Sequence, residues 1–300
     1  MSHAWVNRQA KNRKAREAPS GALEAAQAVQ VALETPPTVT MEELRPQPDQ
    51  DSTIVGRLQP ISEPSLKAED LRSLTQPTRS LLQAGRVFAV HQVEGQRRHA
   101  RISLDAEDER LYLHALKEHT LPLGAATLQV SEIVPPSPPC MVFLDLSWPG
   151  CAPRRVHIHL SPNTPRGRQF MLLCTGQCGP SYRDTRLFEV WTDGKMRGCV
   201  WGGDYESNDG DGPSVLVPEL GVSEYQRSCC AGDVFMDPDA WGRDDQLEFG
   251  HFGILTRDWV GCVAWPLVYG KVVEGLHVVA EAAQHSDITE VTVVDCGVVL

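Results

Sequence analysis

The sequence predicts a mostly β protein, with an antiparallel domain over residues 140–300 and a first half that is only partly folded. Apolar residues alternate with other residues over 142–146 and again over 156–160, which is typical of antiparallel strands with one buried face. The run Pro-Pro-Ser-Pro-Pro at 135–139 cannot join a sheet ladder or a helix interior, so it predicts a semi-rigid linker before this domain.

Residues 1–64 are predicted to be disordered or extended, with any order supplied by a partner. Six prolines lie between residues 35 and 64, among few large apolar residues, and such a segment cannot offset the entropy cost of folding. Residues 20–34 favour a helix that Ser20 would cap. A basic stretch near the N-terminus either docks on an acidic surface or is simply solvated; it consists of Arg8, Lys11, Arg13, Lys14 and Arg16.

Residues 65–134 are predicted to form a small region of mixed helix and strand. A short helix over 78–84 would end at Gly85 in a left-handed cap, and residues 86–93 alternate as a strand does. Leu111, His114 and Ala115 have three-to-four spacing, which predicts a helix over residues 105–119.

Two further elements are predicted inside the second half. Asn163-Thr-Pro165 begins a helix that runs to Leu173 and ends at Gly176, because proline is favoured in the first helical turn and glycine after the last. Residues 291–295 form the closing strand.

Five phrases of this half resemble those of the cyclophilins, which are prolyl isomerases, and they occur in the family's order. They span residues 141–146, 169–176, 201–205 (Trp-Gly-Gly-Asp-Tyr), 268–279 and 290–300 (which contains Asp-Cys-Gly). The resemblance covers about 160 residues and implies an eight-stranded antiparallel barrel capped by two helices. Residues 1–139 resemble no family.

The resemblance also locates the family's proline pocket, whose residues this chain has replaced. The family's arginine, which follows Phe-His, corresponds to Val190 in the phrase Phe188-Glu189-Val190. Valine cannot donate the hydrogen bond that stabilises the twisted prolyl amide. The other degenerate positions are Trp201, Asp237, Pro238, His251, Gly253, Gly261 and Pro266. A small shift in register would let Trp259 replace the indole that is lost at Gly261.

Two functions therefore remain open. The first is a pseudo-isomerase, a cyclophilin-like domain with no catalytic residues that serves as an intracellular protein-binding or scaffold module. The alternative is a divergent isomerase or a chaperone that binds proline-containing peptides, with weak activity from Arg186 or Arg197.

Composition limits the partners. Residues 140–300 carry 12 basic and 22 acidic side chains, which argues against nucleic acid as a partner of this half. With no signal peptide, no membrane-spanning run and an odd number of cysteines (nine), we expect an intracellular protein with reduced thiols. His157 and His159 share a strand face, yet no cysteine pair has zinc spacing, so neither a metal nor a cofactor is expected. The acidic loop 204–212 lacks the last ligand of a calcium loop and is interpreted as a turn.

Overall fold

The computed structural model describes residues 66–93, 95–118, 120–191, 198–212, 226–227, 230–236, 250–259 and 267–300. These residues all lie in one compact unit, Ser62–Leu300. The predictions for residues 1–64, including the basic stretch and the helix over 20–34, lie outside the described residues. Within the described ranges the protein is mostly β, as the sequence predicts.

The elements are numbered in chain order. The helices are α1 Ala68–Arg72, α2 Gln76–Gln83, α3 Val130–Ile133, α4 Pro165–Thr175, α5 Leu276–Ala282 and a 3₁₀ turn at Ile288–Glu290. The first strands are β1 Val87–Val93, β2 Gln96–Leu104, β3 Leu111–His114, β4 Ala126–Gln129, β5 Cys140–Trp148 and β6 Cys151–Leu160. The later strands are β7 Leu187–Trp191, β8 Cys199–Gly202, β9 Gln226–Arg227, β10 Asp233–Met236, β11 Phe252–Leu255, β12 Leu267–Glu274 and β13 Thr292–Val299.

Most of the predicted elements are confirmed. The helix predicted over 78–84 is α2, followed by Gly85 with a φ of +65°, and the strand predicted over 86–93 is β1. The helix that begins at Pro165 ends before Gly176, which has a φ of +70°, a left-handed cap that glycine adopts without steric cost.

The helix predicted over residues 105–119 is wrong. Residues 111–114 instead form β3, whose four side chains are all buried. Leu111 and Leu113 lie on one face of this strand, and Tyr112 and His114 lie on the other. Both faces of this strand are buried, so the side chains follow the period of two of a β-strand. The helical spacing of Leu111 and Ala115 is coincidental.

The strands pair in the order β4-β1-β2-β3-β13-β5-β6-β12-β10-β11-β8-β7, with β9 attached to β12. The eight strands from β13 to β7 all belong to residues 140–300, and neighbours in this part are antiparallel. The antiparallel strands predicted over 142–146 and 156–160 are confirmed, because β5 pairs with β6. Val142, Leu144, Val156 and Ile158 are buried, but Phe143 and His157 on the other face are buried too, so the expectation of a single buried face is wrong.

The two ends of this eight-stranded path meet at the start of β7. Arg186 forms an isolated antiparallel bridge with Thr292 at the start of β13. The Leu187 N–H donates to the Val291 carbonyl at 2.9 Å, and the Val293 N–H donates to the Thr185 carbonyl at 2.8 Å. The two terminal strands are therefore joined by a short set of backbone hydrogen bonds rather than by a full ladder.

The region before the linker is joined to the second half by the same sheet. β3 pairs with β13 on the edge opposite to β5, with Gly297 facing His114. Arg98 of β2 donates to the carbonyl oxygens of Gly176 and Gln177 at 2.5 and 2.7 Å, immediately after the last residue of α4. The linker at 135–139 thus separates two segments that share hydrogen bonds.

Candidate functional site

The predicted pocket positions that the structure describes lie on three neighbouring strands, β7, β8 and β11, except His251, which directly precedes β11. Trp201 of β8 lies between Glu189 of β7 and Gly253 of β11 in the strand registers. Val190 faces Val200 and packs against the main hydrophobic core. The residue beside Trp201 is therefore Glu189, and neither Glu189 nor Val190 carries a guanidinium group.

Trp201 belongs to a second, smaller hydrophobic cluster, which we call the tryptophan cluster. It consists of Cys199, Trp201, Phe235, Leu255 and Val268, with Phe188 and Trp191 packed against it. The Trp201 ring lies edge-on to Phe235, with ring centroids 5.4 Å apart, and 5.1 Å from the Trp191 ring. Trp201 is only 2% exposed and Phe235 is fully buried, so the aromatic rings of this cluster are covered by one another.

Gly253 is one of the pocket positions that the sequence predicts. A β-carbon at Gly253 would lie 2.8 Å from Cζ of Phe235 and 3.2 Å from Sγ of Cys199. Real β-carbons essentially never approach other atoms to 2.8 Å. The side chain that Gly253 lacks is thus replaced by Phe235, which reaches across from β10.

His251 is buried beside Phe188, with ring centroids 5.2 Å apart. Burial lowers the pKa of His251 to about 4, because desolvation disfavours the imidazolium, and this effect outweighs the attraction of Asp204. His251 is therefore neutral at pH 7, and it contributes no positive charge beside Phe188.

The Gly-Gly-Asp phrase is retained for reasons of structure. Gly203 has a φ of +94°, and a β-carbon there would lie 2.8 Å from the Gly250 carbonyl oxygen. The Asp204 carboxylate accepts hydrogen bonds from backbone N–H groups of the following loop, at Glu206, Ser207, Asp209, Gly210 and Gly212. Burial alone would raise the pKa of Asp204, but these bonds and the Ser207 hydroxyl lower it well below the ordinary range. Asp204 thus organises the loop 204–212, which is the turn that the sequence predicts.

A cavity of about 410 Å³ lies beside Val190. Its walls include Trp191, Arg257 and, from α5 and the turn after it, Ala280 and Ala283. Arg186, one of the two arginines proposed from the sequence, is exposed, and its backbone N–H donates to Asn208. The other, Arg197, lies outside the described residues.

Of the remaining predicted pocket positions, Asp237, Pro238, Gly261 and Pro266 also lie outside the described residues. Trp259 is described and is buried. His157 is buried and His159 is exposed. In the part of the chain that the structure describes, no group of three or more His, Cys, Asp or Glu side chains is arranged to hold a metal ion, and no cysteine is in a disulfide bond.

Phe235 and Trp191 are the site residues that sequence reasoning missed. Val234 and Phe235 are consecutive in β10 and belong to different hydrophobic clusters, so an alternation analysis of β10 would have placed Phe235 on the Gly253 side. The pairing of Glu189 with Trp201 was not predicted, because a register irregularity lies between Leu187 and Glu189. Sequence spacing does not reveal such an irregularity.

Comparisons with known proteins do not identify a family. The chain matches no protein-family model, and it gives no significant match to a curated protein. None of the helices in the described residues is long and apolar enough to span a membrane.

Proposed function

We propose that residues 140–300 form a cyclophilin-like barrel that has lost prolyl isomerase activity and serves as an intracellular protein-binding or scaffold module. The antiparallel order of the eight strands from β13 to β7 supports the barrel, together with the bridge between Arg186 and Thr292. The presence of two helices in this half, α4 and α5, also supports the proposal.

The observation that carries the loss of activity is the way the tryptophan cluster fills the pocket. A prolyl isomerase needs an apolar recess for the proline ring and a hydrogen-bond donor beside it. Here Phe235 occupies the space next to Gly253, and Trp201 covers Phe235. The side chain of Val190 has no hydrogen-bond donor, and the His251 imidazole is neutral at pH 7.

A protease-coupled isomerisation assay on the full chain tests this proposal. The full chain is needed because β13 pairs with β3. We expect no rate above the uncatalysed one, and no saturable binding of a proline-containing peptide or of cyclosporin. Turnover within about tenfold of an ordinary cyclophilin, equivalent to a barrier difference of about 1.4 kcal/mol, would exclude the pseudo-isomerase.

The alternative, a divergent isomerase with weak activity, is favoured by the cavity that Val190 and Arg257 line. If activity is measured, Arg257→Leu distinguishes the two possible locations of the site. Loss of that activity in Arg257→Leu, with Arg186→Leu unchanged, would place catalysis at the cavity beside α5. An Arg257→Leu protein as active as the wild type would exclude the cavity.

A further inference from the structure

A serine, a histidine and an aspartate are connected by short hydrogen bonds across the strands that join the two halves. The Ser103 Oγ of β2 lies 2.6 Å from Nε2 of His114 in β3. Nδ1 of the same imidazole lies 2.7 Å from Oδ2 of Asp295 in β13. Each contact is a diagonal one between neighbouring strands, since Ser103 faces Tyr112 and His114 faces Gly297 in the registers.

The groups that contact the two ring nitrogens determine which of them carries the proton when the His114 ring is neutral. A carboxylate only accepts hydrogen bonds, so Nδ1 carries the proton and donates it to Asp295. Nε2 is then the acceptor, and the Ser103 hydroxyl donates to it. This is the polarity of a nucleophile, a general base and an orienting carboxylate.

The carboxylate is held in place independently of the histidine. Oδ1 of Asp295 accepts from the Cys296 N–H at 3.0 Å and lies 3.4 Å from a guanidinium nitrogen of Arg183. Burial raises the pKa of Asp295, but the bond to His114 and the charge of Arg183 lower it overall. Asp295 is therefore ionised at pH 7, and it stabilises the imidazolium that forms when His114 takes a proton.

The histidine is the least exposed of the three groups. The His114 side chain is 8% exposed and the Asp295 side chain 20%, and Ser103 is a partly exposed residue. The base is therefore shielded from bulk water, while the nucleophile belongs to a residue that is open to solvent in part.

A backbone donor lies next to the nucleophile. The Asp105 N–H donates to the Arg110 carbonyl across the β2–β3 turn. Since successive N–H groups of a strand point to opposite sides, the Leu104 N–H is directed away from β3. In the described residues the register of β2 with β1 ends at Arg101, before Leu104. The N–H of the residue after the nucleophile is therefore directed to the side where β1 has ended, which makes it the candidate oxyanion donor of this site.

We propose that Ser103, His114 and Asp295 form an acyl-transfer site that hydrolyses esters or thioesters of small acyl groups. The acyl group is small because a sheet face does not enclose a long chain as a cavity does. The Ser103 oxygen bonds to the carbonyl carbon while its proton moves to Nε2 of His114. The alcohol or thiol leaves with that proton as its bond to the carbonyl carbon breaks. Water then attacks the acyl-serine in the same way, which releases the carboxylic acid and restores Ser103.

A second series of a carboxylate, a histidine and a hydroxyl, connected by hydrogen bonds, lies nearby and provides an internal comparison. Glu274 contacts Nδ1 of His157 at 2.9 Å, and Nε2 of His157 lies 3.0 Å from the Tyr112 hydroxyl. Tyr112 is only 1% exposed, and burial raises its pKa. The proposal therefore predicts reaction at Ser103 and none at Tyr112, although both hydroxyls face a carboxylate–histidine pair.

The test uses the full-length protein with a fluorophosphonate probe, and peptide mapping locates the label. Ser147 of β5 is the matched control, because it is also partly exposed and its hydroxyl donates to a backbone carbonyl rather than to a histidine. We expect Ser103 to be labelled at least about a hundredfold faster than Ser147, the scale of general-base catalysis. No label on Ser103, or equal labelling of Ser103 and Ser147, would overturn the proposal.

Variants separate a catalytic network from a structural one. His114→Gln and Asp295→Asn should each lower the labelling rate by about a hundredfold or more, and Ser147→Ala should not change it. With p-nitrophenyl acetate the wild type should release a burst of one nitrophenolate per chain, which Ser103→Ala loses. If His114→Gln is folded and is labelled at the wild-type rate, the three residues are a structural network and the proposal is wrong.

Discussion

Gly253 and Phe235 share a space that holds only one side chain, because a β-carbon on Gly253 would lie 2.8 Å from Cζ of Phe235. The two residues face the same side of β11 and β10, which are adjacent strands. The two residues are therefore coupled: the phenylalanine ring fits only because position 253 has no side chain.

The first prediction is that substitutions at these two positions are not additive. Gly253→Ala should destabilise the protein by about 1–3 kcal/mol through overpacking, and Phe235→Ala by about 3–5 kcal/mol through the cavity it leaves. In the double variant the new methyl group enters space that the ring has vacated. Its loss of stability should be smaller than the sum by about 1–2 kcal/mol.

Urea denaturation of the four proteins measures this coupling. Phe143→Ala combined with Gly253→Ala is the control, because Phe143 is a fully buried phenylalanine of β5, which does not pair with β11. That pair should be additive. Additive losses for Phe235 and Gly253 would mean that the two residues do not compete for space.

Alternation in the sequence was enough to predict β5 and β6 as strands. Val142 and Leu144 face the core in β5, and Val156 and Ile158 do so in β6, so the period of two is visible in a short window. The same analysis failed for β3, because Leu111, His114 and Ala115 also have the spacing of a helix face and all four residues of this short strand are buried. Burial on both faces removes the polar alternation that distinguishes a strand from a buried helix segment.

Long-range pairing could not be predicted from local pattern. His114 and Asp295 are 181 residues apart and meet only because β3 pairs with β13. Likewise, the sequence located Gly253 and Trp201 as changed positions, but the replacement of one side chain by Phe235 depends on the register of β10 with β11. Register is set by the whole sheet, which a sequence window does not contain.

The second prediction concerns the pH dependence of stability. The pKa of His251 is about 4 in the folded protein and about 6.5 in an unfolded chain. Between these values the unfolded chain binds a proton that the native state does not. This contribution is therefore fully present above pH 6.5, and it is lost as the pH falls toward 4. The loss attributable to His251 amounts to about 3 kcal/mol.

His251→Gln isolates this contribution, since glutamine is polar and does not titrate. The free energy of unfolding should fall less in the variant than in the wild type between pH 7 and pH 4.5, with the difference growing below pH 6.5. Equal slopes for the two proteins would show that His251 is accessible to protons in the native state.

The third prediction concerns Arg98, whose guanidinium donates to the carbonyls of Gly176 and Gln177. Arg98→Met retains much of the aliphatic length and removes the charge-assisted bonds and the favourable interaction with the helix dipole. We expect a loss of about 1.5–3 kcal/mol, with faster amide exchange in the last turn of α4. Arg97→Met is the control, because Arg97 is an exposed neighbour, and it should cost less than about 0.5 kcal/mol.

The last prediction is that residues 136–300 alone do not fold as they do in the full chain. Deleting residues 1–135 removes β3, which pairs with β13. It also removes Arg98, which binds the chain just after α4. It also uncovers Phe143, which packs edge-on against Tyr112 at a centroid distance of 5.3 Å. An unpaired edge on β13 beside newly exposed apolar side chains is a site of aggregation. We therefore expect the fragment to bind a hydrophobic dye and to unfold at lower urea concentration than the fragment 62–300, which retains every one of these contacts. A 136–300 fragment as stable as 62–300 would mean that the β3–β13 pairing contributes nothing to the fold, and isomerase assays could then use the shorter fragment.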